Sequence, residues 1–371
     1  MTIKELAKPW VSGLGVYEPG RPIEEVAREL GFKDTSAIIK LASNENALGP
    51  SPKAVAAMKK AARQMHLYPD GGAFYLRQAL GAKLNVPPGQ ILTGTGSNEL
   101  IEFIGHVFLD SSTAIVMADR AFVVYKLVAD MFRSHTIMVP MKNYTHDLDA
   151  MLHAITPETR VVFVANPNNP TGTLVGQAEL DAFMSRIPPH VVVVFDEAYI
   201  ELLQPEDQPD CLKYIREGRN VIVLRTFSKT YGLAGLRLGY GVAPEECIAL
   251  LQRVRQPFNT SAMAQAAALA ALEDDEYVAR TRLMMREGLD YFETSFRKMR
   301  LDYVPSSANF ILVRVGGGRH VFDAMQRAGI IVRSMDPYGL ADHIRITVGT
   351  PRQNRKCLSA LKTVLQSRGA A

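Results

Sequence analysis

Between residues 90 and 260 the chain alternates short apolar runs with longer amphipathic stretches. The apolar runs fall at 91–93, 114–117, 137–139, 161–164, 191–195, 221–224 and 238–240. Several are apolar at every position rather than at every second one, as strands buried on both faces of a sheet are. Helix-like segments lie between many of them, at 98–108, 122–131, 148–154 and 177–186. Strands alternating with helices predict an α/β unit with a mostly parallel sheet. Beyond Pro257 the pattern changes. A long helical region with charges along one side is expected over 262–299, then strands at 302–304, 309–313, 330–333 and 344–348, with a helix at 321–327. This predicts a second, smaller α+β unit. The expected division is a large unit over 41–260, with 1–40 as an N-terminal arm joined to a small unit over 261–371.

Composition narrows the class. A chain of 371 residues, 47% apolar and 22% charged, can hold two domains around a large core. Its net charge of +4 is small and its basic residues are scattered, which gives no footprint for nucleic acid. Three distant cysteines, Cys211, Cys247 and Cys357, argue against a disulfide framework and fit a reducing cytoplasm. The eight histidines show no ligand spacing, so no metal is expected. The first residues lack the apolar stretch of a signal peptide, and the Ala-rich run at 262–272 is too short to span a bilayer.

Ligands of open α/β sheets sit at the carboxyl ends of strands, so the chemistry should follow the apolar runs. After 91–93 come Gly94, Thr95, Gly96, Ser97, Asn98 and Glu99, opening a helix. Small residues there let backbone N–H groups approach an anion where the helix dipole is favourable, although a plain helix cap reads the same way. After 161–164 come Asn168, Asn169, Pro170, Thr171 and Gly172. Turn chemistry accounts for the proline and glycine, whereas an asparagine amide there can donate to a ligand oxygen. After 191–195 come Asp196 and Tyr199. An acid ending an apolar strand is costly unless paired, and a pyridinium N–H is a suitable partner; a structural ion pair or a magnesium ligand is the other reading. After 221–224 come Thr226, Ser228 and Lys229, with Arg237 eight residues on. A lysine at the mouth of a buried strand is placed to lose its proton and condense with an aldehyde, and the hydroxyls and arginine beside it can hold a phosphate. Taken alone it also reads as a surface lysine after a strand.

These signals, in this order, make the chain resemble the fold-type-I aminotransferases that use pyridoxal 5'-phosphate. The landmarks are Asn169-Pro170-Thr171-Gly172, Asp196 with Tyr199, and Ser228-Lys229 with Arg237. Further segments, 17–31, 41–46, 68–71 and 345–350, narrow the resemblance to the histidinol-phosphate subgroup, some of whose members act on aromatic amino acids. Ala47 departs from that subgroup, which usually has proline after Asn44-Glu45-Asn46.

The resemblance implies a mostly parallel-sheet cofactor domain, a smaller α+β domain, and a cytoplasmic homodimer with composite sites, free of nucleic acid and membrane. Lys229 is implied as the covalent anchor and proton shuttle, Asp196 as partner of the ring nitrogen, and Asn169 and Tyr199 as contacts of the ring oxygen. Ser97, Asn98, Thr226, Ser228 and Arg237 would surround the phosphate, with Tyr68 reaching in from the other subunit. Phe122 would stack on the ring; core packing is its alternative. Tyr17, Asn44, Arg333 and Arg345 would face the substrate, with Arg345 gripping its acidic group. The implied activity is exchange of an amino group between L-histidinol phosphate and 2-oxoglutarate or glutamate. Rival readings are an aromatic amino acid aminotransferase, a decarboxylase of a phosphorylated amino acid, and a non-catalytic cofactor-sensing domain. A reductase built on the Gly94 loop leaves Asp196 and Lys229 unexplained.

Overall fold

The computed structural model describes residues 1–16 and 20–369. A short strand β1 (Ile39–Lys40) precedes the large sheet. That sheet comprises β2 (Ile91–Gly94), β3 (Ala114–Ala118), β4 (His135–Val139), β5 (Thr159–Ala165), β6 (Val192–Asp196), β7 (Val221–Thr226) and β8 (Gly239–Val242). Its order is β2-β8-β7-β6-β5-β3-β4. Only β8 runs antiparallel to its neighbours. All seven expected strands are present. The edge strand β4 is exposed at several positions, which is why periodicity exposed only its last three residues.

The fully apolar runs have a direct structural cause. Successive side chains of a strand point to opposite faces, so both faces must be covered. Val162, Val164, Val193, Phe195, Val221 and Val223 enter the core on one face. Val161, Phe163, Val194, Ile222 and Leu224 enter the core on the other. Helices cover both. Gly96–Phe108 and Glu245–Val254 lie over the second core, and Gln177–Arg186 over the first. Phe122 and Val123 stay outside the helix Val124–Met131, although the pattern had placed its start at 122.

The small unit carries β9 (Tyr303–Val304), β10 (Phe310–Arg314), β11 (Ile330–Ile331), β12 (Arg333–Ser334) and β13 (His343–Thr347). The single strand expected at 330–333 is two. Residues of β11 pair with β1, whereas β12 joins the antiparallel sheet β12-β13-β10-β9. Helices Asp275–Met299, Gly318–Arg327 and Pro351–Gly369 pack with it around Phe292, Phe296, Phe310, Ile346 and Leu361.

The helical stretch 262–299 is interrupted after Leu272, giving Ala262–Leu272 and Asp275–Met299. Ala264, Ala267, Ala268 and Ala271 of the first helix sit in the large unit's core, so the packing divides beyond this helix rather than at 260. Small side chains let it approach Pro52–Ala61 and Phe74–Leu84 closely. The N-terminal arm serves both units. Trp10 Nε1 donates to the Met131 carbonyl of the large unit at 3.3 Å, whereas Val26 and Ala27 pack with Ile331 of the small one.

Candidate active site

The carboxyl ends of β3, β5, β6 and β7 meet β12 and β13 around a cavity of about 350 Å³. Ser97, Asn98, Phe122, Asn169, Asp196, Tyr199, Thr226, Ser228, Lys229, Arg237, Asn44, Arg333 and Arg345 all line it. Residues from eight separate stretches of the chain therefore converge on one space.

One end is built to hold an anion. The helix Gly96–Phe108 begins there without a side-chain cap, so its first N–H groups remain available and its dipole favours negative charge. Gly96 has φ +76°, and a Cβ at this position would lie 2.5 Å from Arg237 Nη2. A Cβ on Gly239 would lie 2.6 Å from the Ser97 nitrogen. Both glycines are thus needed for the helix terminus and the guanidinium to share one place. Glu99, the acid of this turn, is bound by the Thr95 N–H at 2.6 Å and by Asn259 Nδ2 at 2.6 Å. Ser228 N–H donates to Thr226 Oγ1 at 3.1 Å, closing the turn that follows β7.

Deeper in, Asp196 ends β6 and is 4% exposed. Its Oδ2 accepts from the Tyr125 hydroxyl at 2.8 Å and its Oδ1 from the Ala198 N–H at 3.2 Å. Burial pushes its pKa up to about 6, opposed first by the Tyr125 bond. Each carboxylate oxygen has further acceptor capacity for a ligand N–H. The Tyr199 hydroxyl accepts from Asn44 Nδ2 at 2.9 Å, and burial pushes its own pKa up to about 12. Asn44 lines the cavity with one amide N–H given to Tyr199, and its Oδ1 accepts from Thr347 at 3.1 Å.

Lys229 Nζ lies 3.3 Å from the Ser43 carbonyl and 5.6 Å from the centre of the Tyr199 ring. Burial, then the guanidinium of Arg345, push the amine down to about 8. A lysine so placed is neutral over much of the mildly alkaline range.

The opposite wall is cationic. Arg333 on β12 and Arg345 on β13 are direct cross-strand partners, so their side chains share a face. Arg345 is 6% exposed, its guanidinium stands 5.0 Å from the centre of the Phe310 ring, and it donates to Asn169 Oδ1 and to the Ala42 carbonyl. Tyr338, in the turn joining these strands, also faces the cavity.

Tyr68, expected to reach in from another subunit, lies outside this chain's own cavity. Tyr68 is 82% exposed and stacks on Phe258 at 4.7 Å. Tyr17 lies outside the described residues. Two residues were not anticipated, Tyr125 and Tyr338. Tyr125 was hidden inside an apolar helix pattern, and Tyr338 sits in a turn with no periodic signal. Among the described residues no group of three or more His, Cys, Asp or Glu is placed to hold a metal. None of their helices is long and apolar enough to cross a membrane.

An aromatic ring carrying a phosphate fits this donor set. The glycine-cleared helix terminus with Arg237 suits the phosphate, Asp196 a ring N–H, Tyr199 and Asn169 a ring oxygen, and Lys229 an aldehyde.

Comparison with known proteins agrees with the geometry. Residues 36–361 match the family model for aminotransferase class I and II. A histidinol-phosphate aminotransferase of Akkermansia muciniphila is 53% identical over 98% of this chain and 100% of its own length. One of Moorella thermoacetica is 50% identical over 94% of this chain and 90% of its own. The crystal structure of a histidinol-phosphate aminotransferase from Sinorhizobium meliloti, in complex with pyridoxal 5'-phosphate, superposes with a TM-score of 0.89 at 28% identity, covering 98% of each chain.

Proposed function

The chain belongs to the class I and II aminotransferases, and from that premise we propose that it exchanges an amino group between L-histidinol phosphate and the 2-oxoglutarate/glutamate pair, with pyridoxal 5'-phosphate as cofactor. When bound, the cofactor supplies an aldehyde that takes up the amino group and a ring that withdraws electrons from the donor's α carbon. The protein does the rest. Lys229 Nζ anchors the aldehyde and then carries the α proton. Asp196 holds the ring nitrogen protonated, and Arg237 with the Gly96–Phe108 helix terminus fixes the phosphate.

The observation carrying the donor assignment is the pairing of Arg333 with Arg345 across β12 and β13 on the cavity wall. Like charges placed directly opposite are unfavourable in themselves. They suit a ligand whose charge exceeds one, and a phosphate near neutral pH carries almost two negative charges. Glutamate brings one carboxylate to the same place, and the planar fork of Arg345 serves both.

The test is kcat/KM for histidinol phosphate, glutamate, phenylalanine, tyrosine and histidine. Arg345→Lys should lower it for both histidinol phosphate and glutamate by on the order of 10²-fold, roughly 3 kcal/mol. Arg333→Ala should cost histidinol phosphate about tenfold more than glutamate. If phenylalanine or tyrosine beats histidinol phosphate by about tenfold in the unmodified enzyme, the donor is aromatic instead. Carbon dioxide release from a phosphorylated amino acid would make the protein a decarboxylase.

The assembly we infer is a homodimer. Met65, Leu67, Tyr68, Phe74, Tyr75 and Phe258 are all exposed. That many large apolar groups in neighbouring segments favours a protein partner. A second copy would cover them and bring Tyr68 to the phosphate end of its partner's cavity. Tyr68→Phe should weaken cofactor binding by about tenfold, the loss of one hydrogen bond to a charged group. Mixing Tyr68→Phe with Lys229→Ala subunits should yield hybrids with one intact site and one doubly impaired. Hybrids whose active site binds cofactor as weakly as the Tyr68→Phe enzyme would place Tyr68 in its own subunit's site.

A further inference from the structure

Tyr125 has no role in the chemistry assigned so far, yet it is among the best-fixed side chains in the site. It is fully buried. Its ring lies flat on Phe163, with centres 4.4 Å apart and planes 6° from parallel, and edge-on to Phe122 at 5.7 Å. Phe163 belongs to β5 and Phe122 to the turn after β3, so a strand and a turn clamp the phenol. The clamp aims one atom. The hydroxyl meets Asp196 Oδ2 at 2.8 Å, on the carboxylate edge not taken by the Ala198 N–H.

We propose that Tyr125 is the positioning residue for Asp196, setting the plane of the carboxylate so that its remaining lone pairs meet the ring nitrogen of the cofactor. This rests on reading the cavity as a pyridoxal phosphate site. The physical reasoning has two parts. A carboxylate at the end of a short side chain can rotate about its last bond, and two donors from different elements remove that freedom. A buried carboxylate is also driven toward its neutral form, and a hydrogen bond to the ionised form opposes this. Burial and the charge of Asp196 hold the Tyr125 phenol well above its ordinary pKa, so it remains a neutral donor throughout the working range. Glu197 and Lys229 also act on Asp196, and Tyr199 faces it; none of the three is altered in the variants below.

The test uses the apoprotein and two ligands. Pyridoxal 5'-phosphate has the ring nitrogen; its 1-deaza analogue carries C–H in that place and is otherwise alike. The unmodified protein should bind the natural ligand more tightly. Tyr125→Phe keeps the stacked ring and removes the hydroxyl. It should weaken pyridoxal 5'-phosphate by about tenfold and the deaza analogue by less than twofold, and move the acid limb of cofactor affinity to higher pH. Tyr125→His, which restores an N–H donor, should recover most of the preference. Incorporating 3-fluorotyrosine at position 125 strengthens the donor without altering the packing, and should move the acid limb to lower pH. Equal losses for both ligands in Tyr125→Phe would reduce Tyr125 to packing, and unchanged affinity would remove any role. Should Tyr125→Phe fail to fold, the fluorotyrosine protein decides, and an unmoved acid limb overturns the proposal. Failure of the unmodified protein to bind pyridoxal 5'-phosphate would instead overturn the cofactor assignment.

Discussion

Lys229→Ala is expected to lower kcat by about 10⁴-fold or more, roughly 5–6 kcal/mol of barrier, while the fold persists. The size follows from the number of tasks that converge on one atom. The amine both anchors the aldehyde and moves the α proton, and among the described residues no second amine lines the cavity. The phosphate grip does not involve it, so cofactor should still bind the variant through Arg237 and the helix terminus. Borohydride should fix the chromophore to the peptide containing Lys229 in the unmodified protein and to no peptide in the variant. The pH dependence has a definite sign. Only the neutral amine attacks an aldehyde. The rate of cofactor capture by apoprotein should therefore rise as pH rises through about 8, the value to which burial and Arg345 bring Lys229. Replacing Arg345 with glutamine removes a cation that opposes protonation, and the midpoint should move upward. Turnover in Lys229→Ala within tenfold of the unmodified enzyme would end the assignment.

How much of this was legible in the sequence depends on the range of the interaction. β5, β6 and β7 announce themselves because burial on both faces leaves no polar position inside them. For the same reason the first polar residues beyond them, Asn169, Asp196 and Lys229, stand out as candidates. Local signals also mark Pro52–Ala61: Ser51 caps its first turn and Pro52 occupies its first position. What stayed hidden was set by register and tertiary packing. Arg333 and Arg345 are twelve apart in the chain, and nothing in that number says they face each other; the turn between them does. Asn44 and Tyr199 are joined across 155 residues. Tyr125 reads as one more large residue in an amphipathic helix until the strand carrying Asp196 is laid beside it. The helix Ala262–Leu272 is a related case: an Ala-rich helix carries no label for the core it joins, and shape complementarity with its neighbours decides.

Asp196→Asn should separate function from stability, because the charge it removes is useful to one and costly to the other. The amide is nearly the same size. Its oxygen can still accept from the Ala198 N–H, and the Tyr125 hydroxyl can turn to accept from its NH₂. No negative charge then faces the ring nitrogen, so the ring is not held protonated and withdraws electrons less well. A loss in kcat on the order of 10³-fold, about 4 kcal/mol, is expected. The stability of the apoprotein should move the other way. Burial raises this carboxyl from 3.8 to about 6 in the folded protein, so the protonated form is favoured on folding. The associated stabilisation is fully present below the unfolded-state value and is lost as pH rises through about 6. Above that pH the unmodified apoprotein carries an ionised buried group, a penalty on the order of 2–3 kcal/mol that Asp196→Asn does not carry. Thermal unfolding of the two apoproteins should show the variant with the higher Tm at pH 7–8, the gap closing below about pH 4. A variant with near-normal kcat would make Asp196 a structural acid. A variant less stable than its parent at pH 8 would show that the carboxylate, with Tyr125 and Ala198 as its donors, stabilises the fold even without a ligand.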